Sequence, residues 1–144
     1  MRCHAMLEML AASDDARCSV KRELRSIGLT ELQFCVLVVL LAVSPATSSP
    51  LALAENTCVS RAAITEATDS LFVRGWIDRQ RSRKDRRMYN ISLTTSGREC
   101  AEQAAALVLT RLGEIGRPLN DPAPRALWAI CNKLTEHAAP WFVR

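Results

Sequence analysis

Aromatic side chains are scarce in this chain. Trp76, Trp128, Trp141, Tyr89, Phe34, Phe72 and Phe142 are the seven among 144 residues. With alanine and leucine abundant, that scarcity favours helices packed on helices. Histidine is scarcer still, with His4 and His137 near opposite ends. No two of the six cysteines (Cys3, Cys18, Cys35, Cys58, Cys100, Cys131) fall within four residues of each other. The spacing offers no chelating Cys-x-x-Cys pair and so no metal site. No motif surrounds either histidine that would make a Cys–His nucleophile, so neither enzymatic chemistry nor a cofactor is expected.

Long apolar runs are also missing. Phe34 to Val43 is apolar throughout, but these ten residues fall well short of a bilayer, which takes about 20. Met1 to Leu10 carries Arg2, His4 and Glu8 rather than a charged-then-apolar leader. There is no internal repeat and no stretch that reads as a linker. A single soluble, cytoplasmic subunit spanning 1–144 is expected, with no membrane partner and enough chain to bury a core.

Net positive charge is concentrated in one place. Arg74, Arg79, Arg81, Arg83, Lys84, Arg86 and Arg87 stand against Asp78 and Asp85, so seven bases less two acids leave +5 in this window. The whole chain carries +4, so everything else sums to −1. A focused basic element fits a partner with regularly spaced negative charge, and nucleic acid fits best.

The surrounding pattern gives this window a setting. The first 27 residues carry an interrupted helical stripe: Met6, Leu7 and Leu10, then polar Ser13-Asp14-Asp15, then Val20, Leu24 and Ile27 before Gly28. Thr30-Glu31-Leu32-Gln33 reads as a capping box opening a core helix to about Leu41. Ser44 to Ser49 reads as a loop. Ser49-Pro50 opens a short helix to Glu55 or Asn56, and after a four-residue turn Ser60 caps a second helix to Arg74. Two short helices joined this way make a helix-turn-helix with the second as reader. On that second helix Ile64, Ala67, Leu71 and Phe72 point inward by spacing. Arg61, Ala62, Thr65, Glu66 and Asp69 point outward, leaving a small polar face able to approach a base edge.

Gly75 suits the left-handed position that ends a helix. Trp76 to Arg81 and Met88 to Leu93 read as strands of a hairpin whose connection, Ser82 to Arg87, holds most of the charge. While the helix occupies a major groove, such a tip reaches the neighbouring minor groove, where A·T-rich sequence attracts arginine. Ser96-Gly97-Arg98-Glu99 offers another capping box. Its helix carries Cys100, Ala104, Leu107, Val108 and Leu112 to about Ile115, and a last helix runs from Pro122 to Ala138 with Leu127, Trp128, Cys131 and Leu134. Cys35, Cys100 and Cys131 occupy apolar positions as small hydrophobes.

Taken together, these residues resemble the MarR family of winged-helix transcriptional regulators. The matching pieces are Gly28-Leu29-Thr30 with Gln33, Leu53-Ala54, Val59-Ser60-Arg61 with Ile64-Thr65, Asp69 with Leu71, Arg74-Gly75-Trp76-Ile77, Asp85-Arg86-Arg87, and Leu93-Thr94 with Gly97. The resemblance implies a mainly α fold with a small β-hairpin wing: a winged helix-turn-helix over 29–97, flanked by dimerisation helices in 1–28 and 98–144. It implies a homodimer on a pseudo-palindromic double-stranded DNA operator, most commonly a repressor, released by a small aromatic or phenolic ligand. Carried over by position, Ser60, Arg61, Ala62, Thr65 and Glu66 face the major groove. Arg86 and Arg87 stand at the wing tip, Asp85 pairs with a neighbouring arginine, Arg83 and Lys84 hold phosphates, and Asp69 fixes the wing against the helix. One branch of the family senses oxidants through cysteine, for which Cys3, Cys18 and Cys58 are the candidates. Tyr89 is the sole tyrosine, so the tyrosine network of the hydroperoxide sensors is absent.

Overall fold

The computed structural model describes residues 2–45, 47–81 and 89–135. Its element order is α1 (Arg2–Ser26), α2 (Glu31–Val43), α3 (Pro50–Thr57), α4 (Arg61–Val73), β1 (Ile77–Arg81), β2 (Tyr89–Leu93), α5 (Thr95–Gly116) and α6 (Ala123–Thr135). The expected wing tip, with Arg83, Lys84, Asp85, Arg86 and Arg87, lies outside the described residues, as does the expected last turn of the final helix.

α1 runs straight through Ser13-Asp14-Asp15. Those side chains are exposed. Without glycine or proline, three polar residues each cost a helix less than about 0.7 kcal/mol. The helix ends where Gly28 takes φ +74, with the Leu29 amide returning to the Leu24 carbonyl at 2.9 Å. α2 then leaves at 83° to α1. Its start is the expected capping box: Thr30 Oγ1 accepts from the Gln33 amide (3.2 Å) and Gln33 Oε1 accepts from the Thr30 amide (3.0 Å). Glu31 in its first turn receives Arg17 Nε at 3.0 Å and Lys21 Nζ at 3.2 Å, tying α1 to α2.

The core is centred on α2. Val36, Leu37 and Leu40 are essentially sealed, joined by Leu24, Leu29, Leu53, Ile64, Leu71, Ile77 and Ile91. α5 lies across α1 and α2 and turns alanines inward, Ala101 and Ala104 both at 0% exposure, which lets the helix axes approach closely. Serines cap the two short helices as expected: Ser49 Oγ accepts from the Ala52 amide (3.1 Å) and Ser60 Oγ from the Ala63 amide (3.2 Å).

β1 and β2 are antiparallel, with Ile77 opposite Leu93, Arg79 opposite Ile91 and Arg81 opposite Tyr89. The segment expected as plain loop between α2 and α3 contributes a third piece. Ser48 is buried and exchanges both backbone hydrogen bonds with Ile91, at 2.9 and 2.8 Å. A one-residue bridge has no period to show, so composition hides it.

Other expectations are corrected. Phe72 points outward at 46% exposure, and Thr68 at 0% takes the buried place beside Leu71. α5 is capped by Thr94, not Ser96. Thr94 Oγ1 accepts from the Gly97 amide at 3.0 Å, while Ser96 Oγ donates to the Gly75 carbonyl at 3.1 Å. Cys131 is exposed rather than packed, because every side chain of α6 from Pro124 to Lys133 faces out of the chain. Among the described residues no single helix is long and apolar enough to cross a membrane.

Candidate nucleic-acid interface

α3 packs against α2 and leads into α4 through Cys58, whose φ of +54 makes the left-handed corner between them. The corner turns the first turn of α4 outward. Ser60, Arg61, Ala62, Thr65 and Glu66 are all exposed there, on one side of the helix. Opposite them Ile64, Ala67, Thr68 and Leu71 are buried and fix the rotation of the helix about its axis. Ser60 spends its hydroxyl on the cap, and Thr65 Oγ1 donates back to the Arg61 carbonyl at 2.9 Å. The Arg61 guanidinium and the Glu66 carboxylate therefore lie on a ridge of small side chains, a shape that a groove about 12 Å wide admits.

Asp69 is exposed on the same helix and receives Arg79 Nη2 from β1 at 2.5 Å. The same nitrogen donates to Thr68 Oγ1 at 3.0 Å. The Arg79 guanidinium lies 5.2 Å from the ring centres of both Phe72 and Tyr89, which explains why Phe72 faces out. Arg74, the first residue of the basic window, donates from Nη1 to the Gly28 carbonyl at 2.7 Å and sits 4.9 Å above the Trp76 ring. Two of the window's arginines are thus used inside the molecule. Arg81 at the end of β1 is exposed.

Sequence reasoning missed these internal roles because an arginine in a charge run reads as solvated. One signal was available: Arg79 follows Ile77 by two residues along β1 and so shares its inward side, and a charge placed there needs a partner. A second tie went unread altogether. Gln33 Nε2 donates to Ser70 Oγ at 3.0 Å, joining the start of α2 to α4.

A cleft of about 430 Å3 opens between the end of α1, the start of the hairpin and α5. Ile27, Trp76, Ser96, Glu99, Cys100, Gln103 and Leu107 line it. Burial pushes the Cys100 thiol above its ordinary pKa, against an opposing pull from Arg74. Burial raises Cys35 too, with the Glu31 carboxylate adding to the rise. Of the oxidant-sensing candidates, Cys18 and Cys58 are exposed thiols, Cys58 with its sulfur 3.7 Å from the Glu55 carbonyl. The Cys3 side chain lies outside the described set.

In sequence, the model of the MarR family matches residues 29–89. The winged helix of this chain is thus similar to those of the MarR family. The HTH-type transcriptional repressor YetL of Bacillus subtilis (strain 168) is 36% identical over 76 residues, which is 53% of this chain and 46% of that protein. The matched segment thus spans about half the length of that relative. Among solved structures, a mutant MarR from E. coli complexed with operator DNA superposes with a TM-score of 0.77 at 24% identity, covering 93% of this chain and 94% of that one. BpsR of Bordetella bronchiseptica, whose DNA binding is regulated by 6-hydroxynicotinic acid, gives 0.79 at 19% identity over 94% and 99%. These likenesses extend the MarR fold beyond the matched segment to α1, α5 and α6.

Proposed function

We propose that this protein is a homodimeric, sequence-specific regulator of transcription that binds double-stranded DNA. α4 enters the major groove and the hairpin follows the adjacent minor groove. One observation carries the reading: α4, whose exposed first turn carries Arg61 among small residues, packs against β1 of a hairpin whose sequence bears the chain's excess positive charge. Ser60, Arg61, Ala62, Thr65 and Glu66 meet base edges. Arg83 and Lys84 meet phosphates, Arg86 and Arg87 the minor groove, and Asp85 braces the loop. Repression is the direction favoured by the kinship with YetL.

The second copy covers the apolar residues that one chain leaves open. Leu7 and Leu10 on α1, Leu109 and Leu112 on α5, and Leu127, Trp128 and Ile130 on α6 are all exposed, more than scattered surface positions account for. A two-fold pair presents two α4 helices to half-sites about one helical turn apart.

Release follows from a small aromatic or phenolic ligand seated in the cleft beside Trp76, which acts through its different affinity for the DNA-competent and incompetent arrangements. BpsR supports this response by analogy. A redox response is the second reading, favoured by the exposure of Cys18 and Cys58. Operator binding before and after mild peroxide, with and without reductant, separates the two.

Selection of fragments from a random DNA pool tests the central reading. A pseudo-palindrome is expected, with affinity falling as salt rises at a log–log slope of roughly −0.9 per phosphate contact. Recovery of no sequence, or a salt-independent affinity, overturns it.

A further inference from the structure

We infer that Glu66 is a specificity-determining residue that selects cytosine in the major groove, with Arg61 selecting guanine about two base pairs away. The inference rests on the DNA-binding reading above and adds to it the identity of the bases that α4 reads.

The outward face of α4 carries two carboxylates in different situations. Asp69 is neutralised by Arg79, whose Nη2 stands 2.5 Å from its Oδ1. Glu66 is also exposed, and it has no ion pair or hydrogen bond of its side chain among the described residues. A bare carboxylate on a surface that approaches a polyanion weakens binding to every sequence, since it repels the phosphates. That repulsion is offset only where a base edge donates to it.

The four bases differ in this respect. In the major groove guanine shows two acceptors, N7 and O6, and thymine shows the O4 acceptor beside its methyl group. Both repel a carboxylate. Adenine sets its N6 donor next to the N7 acceptor. Cytosine alone presents a donor, its N4 amino group, with no acceptor beside it. The Glu66 carboxylate therefore fits cytosine best and rejects guanine and thymine.

The other side chains of that face leave discrimination to the two charged ones. Ser60 Oγ accepts from the Ala63 amide, and Thr65 Oγ1 donates to the Arg61 carbonyl. Each hydroxyl keeps part of its capacity, but a hydroxyl both donates and accepts and so suits any base. Ala62 offers only a methyl group. The exposed Arg61 guanidinium has no partner among the described residues, and its fork of donors matches the two acceptors of guanine. Arg61 and Glu66 lie about 7.5 Å apart along the helix axis and roughly 140° around it. They therefore stand on opposite flanks of the ridge that Ala62 and Thr65 form, with Ile64, Ala67, Thr68 and Leu71 buried behind.

The test compares the full chain with Glu66→Gln. Each selects fragments from a random DNA pool and is then titrated on operators that differ at single base pairs. The parent is expected to recover, in each half-site, a position where cytosine is preferred roughly tenfold over guanine and thymine. An amide both donates and accepts, so Glu66→Gln is expected to move the preference there to adenine and to leave the guanine position as it was. It is also expected to bind unrelated DNA roughly threefold more tightly, because a negative charge is gone. A parent motif without that cytosine overturns the assignment, and so does a uniform loss on every operator, which would make Glu66 a structural residue. A parent that selects no DNA overturns the DNA-binding reading and this one with it. A selecting parent whose base preferences survive Glu66→Gln unchanged overturns this one alone.

Discussion

The carbonyl oxygen of Trp76 stands 1.7 Å from where a β-carbon on residue 97 would be, so Gly97 is the residue that lets α5 start against the root of the hairpin. The obstruction is backbone, and the same carbonyl accepts from the Thr94 amide at 3.1 Å, so it has no free side to move toward. Gly97→Ala is expected to destabilise the fold by on the order of 3 kcal/mol, as overpacking against an unyielding wall does. Urea unfolding at fixed protein concentration checks this, and an unchanged midpoint would show that the two elements yield more than this contact implies.

Thiol reactivity should separate by environment. The raised pKa values of Cys35 and Cys100 lower their thiolate fraction, and burial hinders approach. Both are expected to be modified by a maleimide more slowly than Cys18 and Cys58, which are exposed. Timed mass spectrometry of the native protein gives the order. Cys100 reacting as fast as Cys58 would mean that the cleft wall opens readily.

Trp128, 69% exposed on α6, is the largest exposed apolar side chain among the described residues and, in the proposed homodimer, the one best suited to meet the second copy. Trp128→Glu should raise the dimer dissociation constant by roughly 30-fold or more, the scale of an interface hot spot. Sedimentation over a range of concentrations measures it. Unaltered association would place the interface elsewhere.

The two classes of arginine should behave differently on DNA. Arg61→Ala is expected to cost about 1–3 kcal/mol at one base pair and to relax preference there. Arg86→Ala and Arg87→Ala should weaken binding strongly with the dimer still folded, each flattening the salt dependence by about one contact. Binding titrations on operators with single base changes, at several salt concentrations, distinguish the patterns. Full affinity in both wing variants would refute the groove assignment of the hairpin.

Much of this architecture was legible because local rules carry it. Thr30 and Gln33, Ser49 with Pro50, Ser60, and Gly75 (φ +71) each act through neighbours within a few residues, so sequence alone shows them. Three things escaped for one shared reason: they depend on what lies far along the chain. Ser48 gains a strand partner 43 residues away, Phe72 turns outward to meet Arg79, and α6 turns its apolar side chains away from its own chain. The candidate site divided the same way. The outward face of α4 followed from helical period, but the use of Arg74 and Arg79 as internal ties needed the third dimension.

Gln33 carries one further lesson. Its oxygen closes the first turn of α2, and its nitrogen grips Ser70. A glutamate would perform the former task as well as the amide does, since capping asks merely for an acceptor. It would have no hydrogen to offer the serine, whose hydroxyl would have to turn and donate to the carboxylate instead. The primary amide at this position therefore joins two helices without a charge, whereas exchanging its nitrogen for oxygen would reverse the serine contact and leave a carboxylate at a place only 7% exposed.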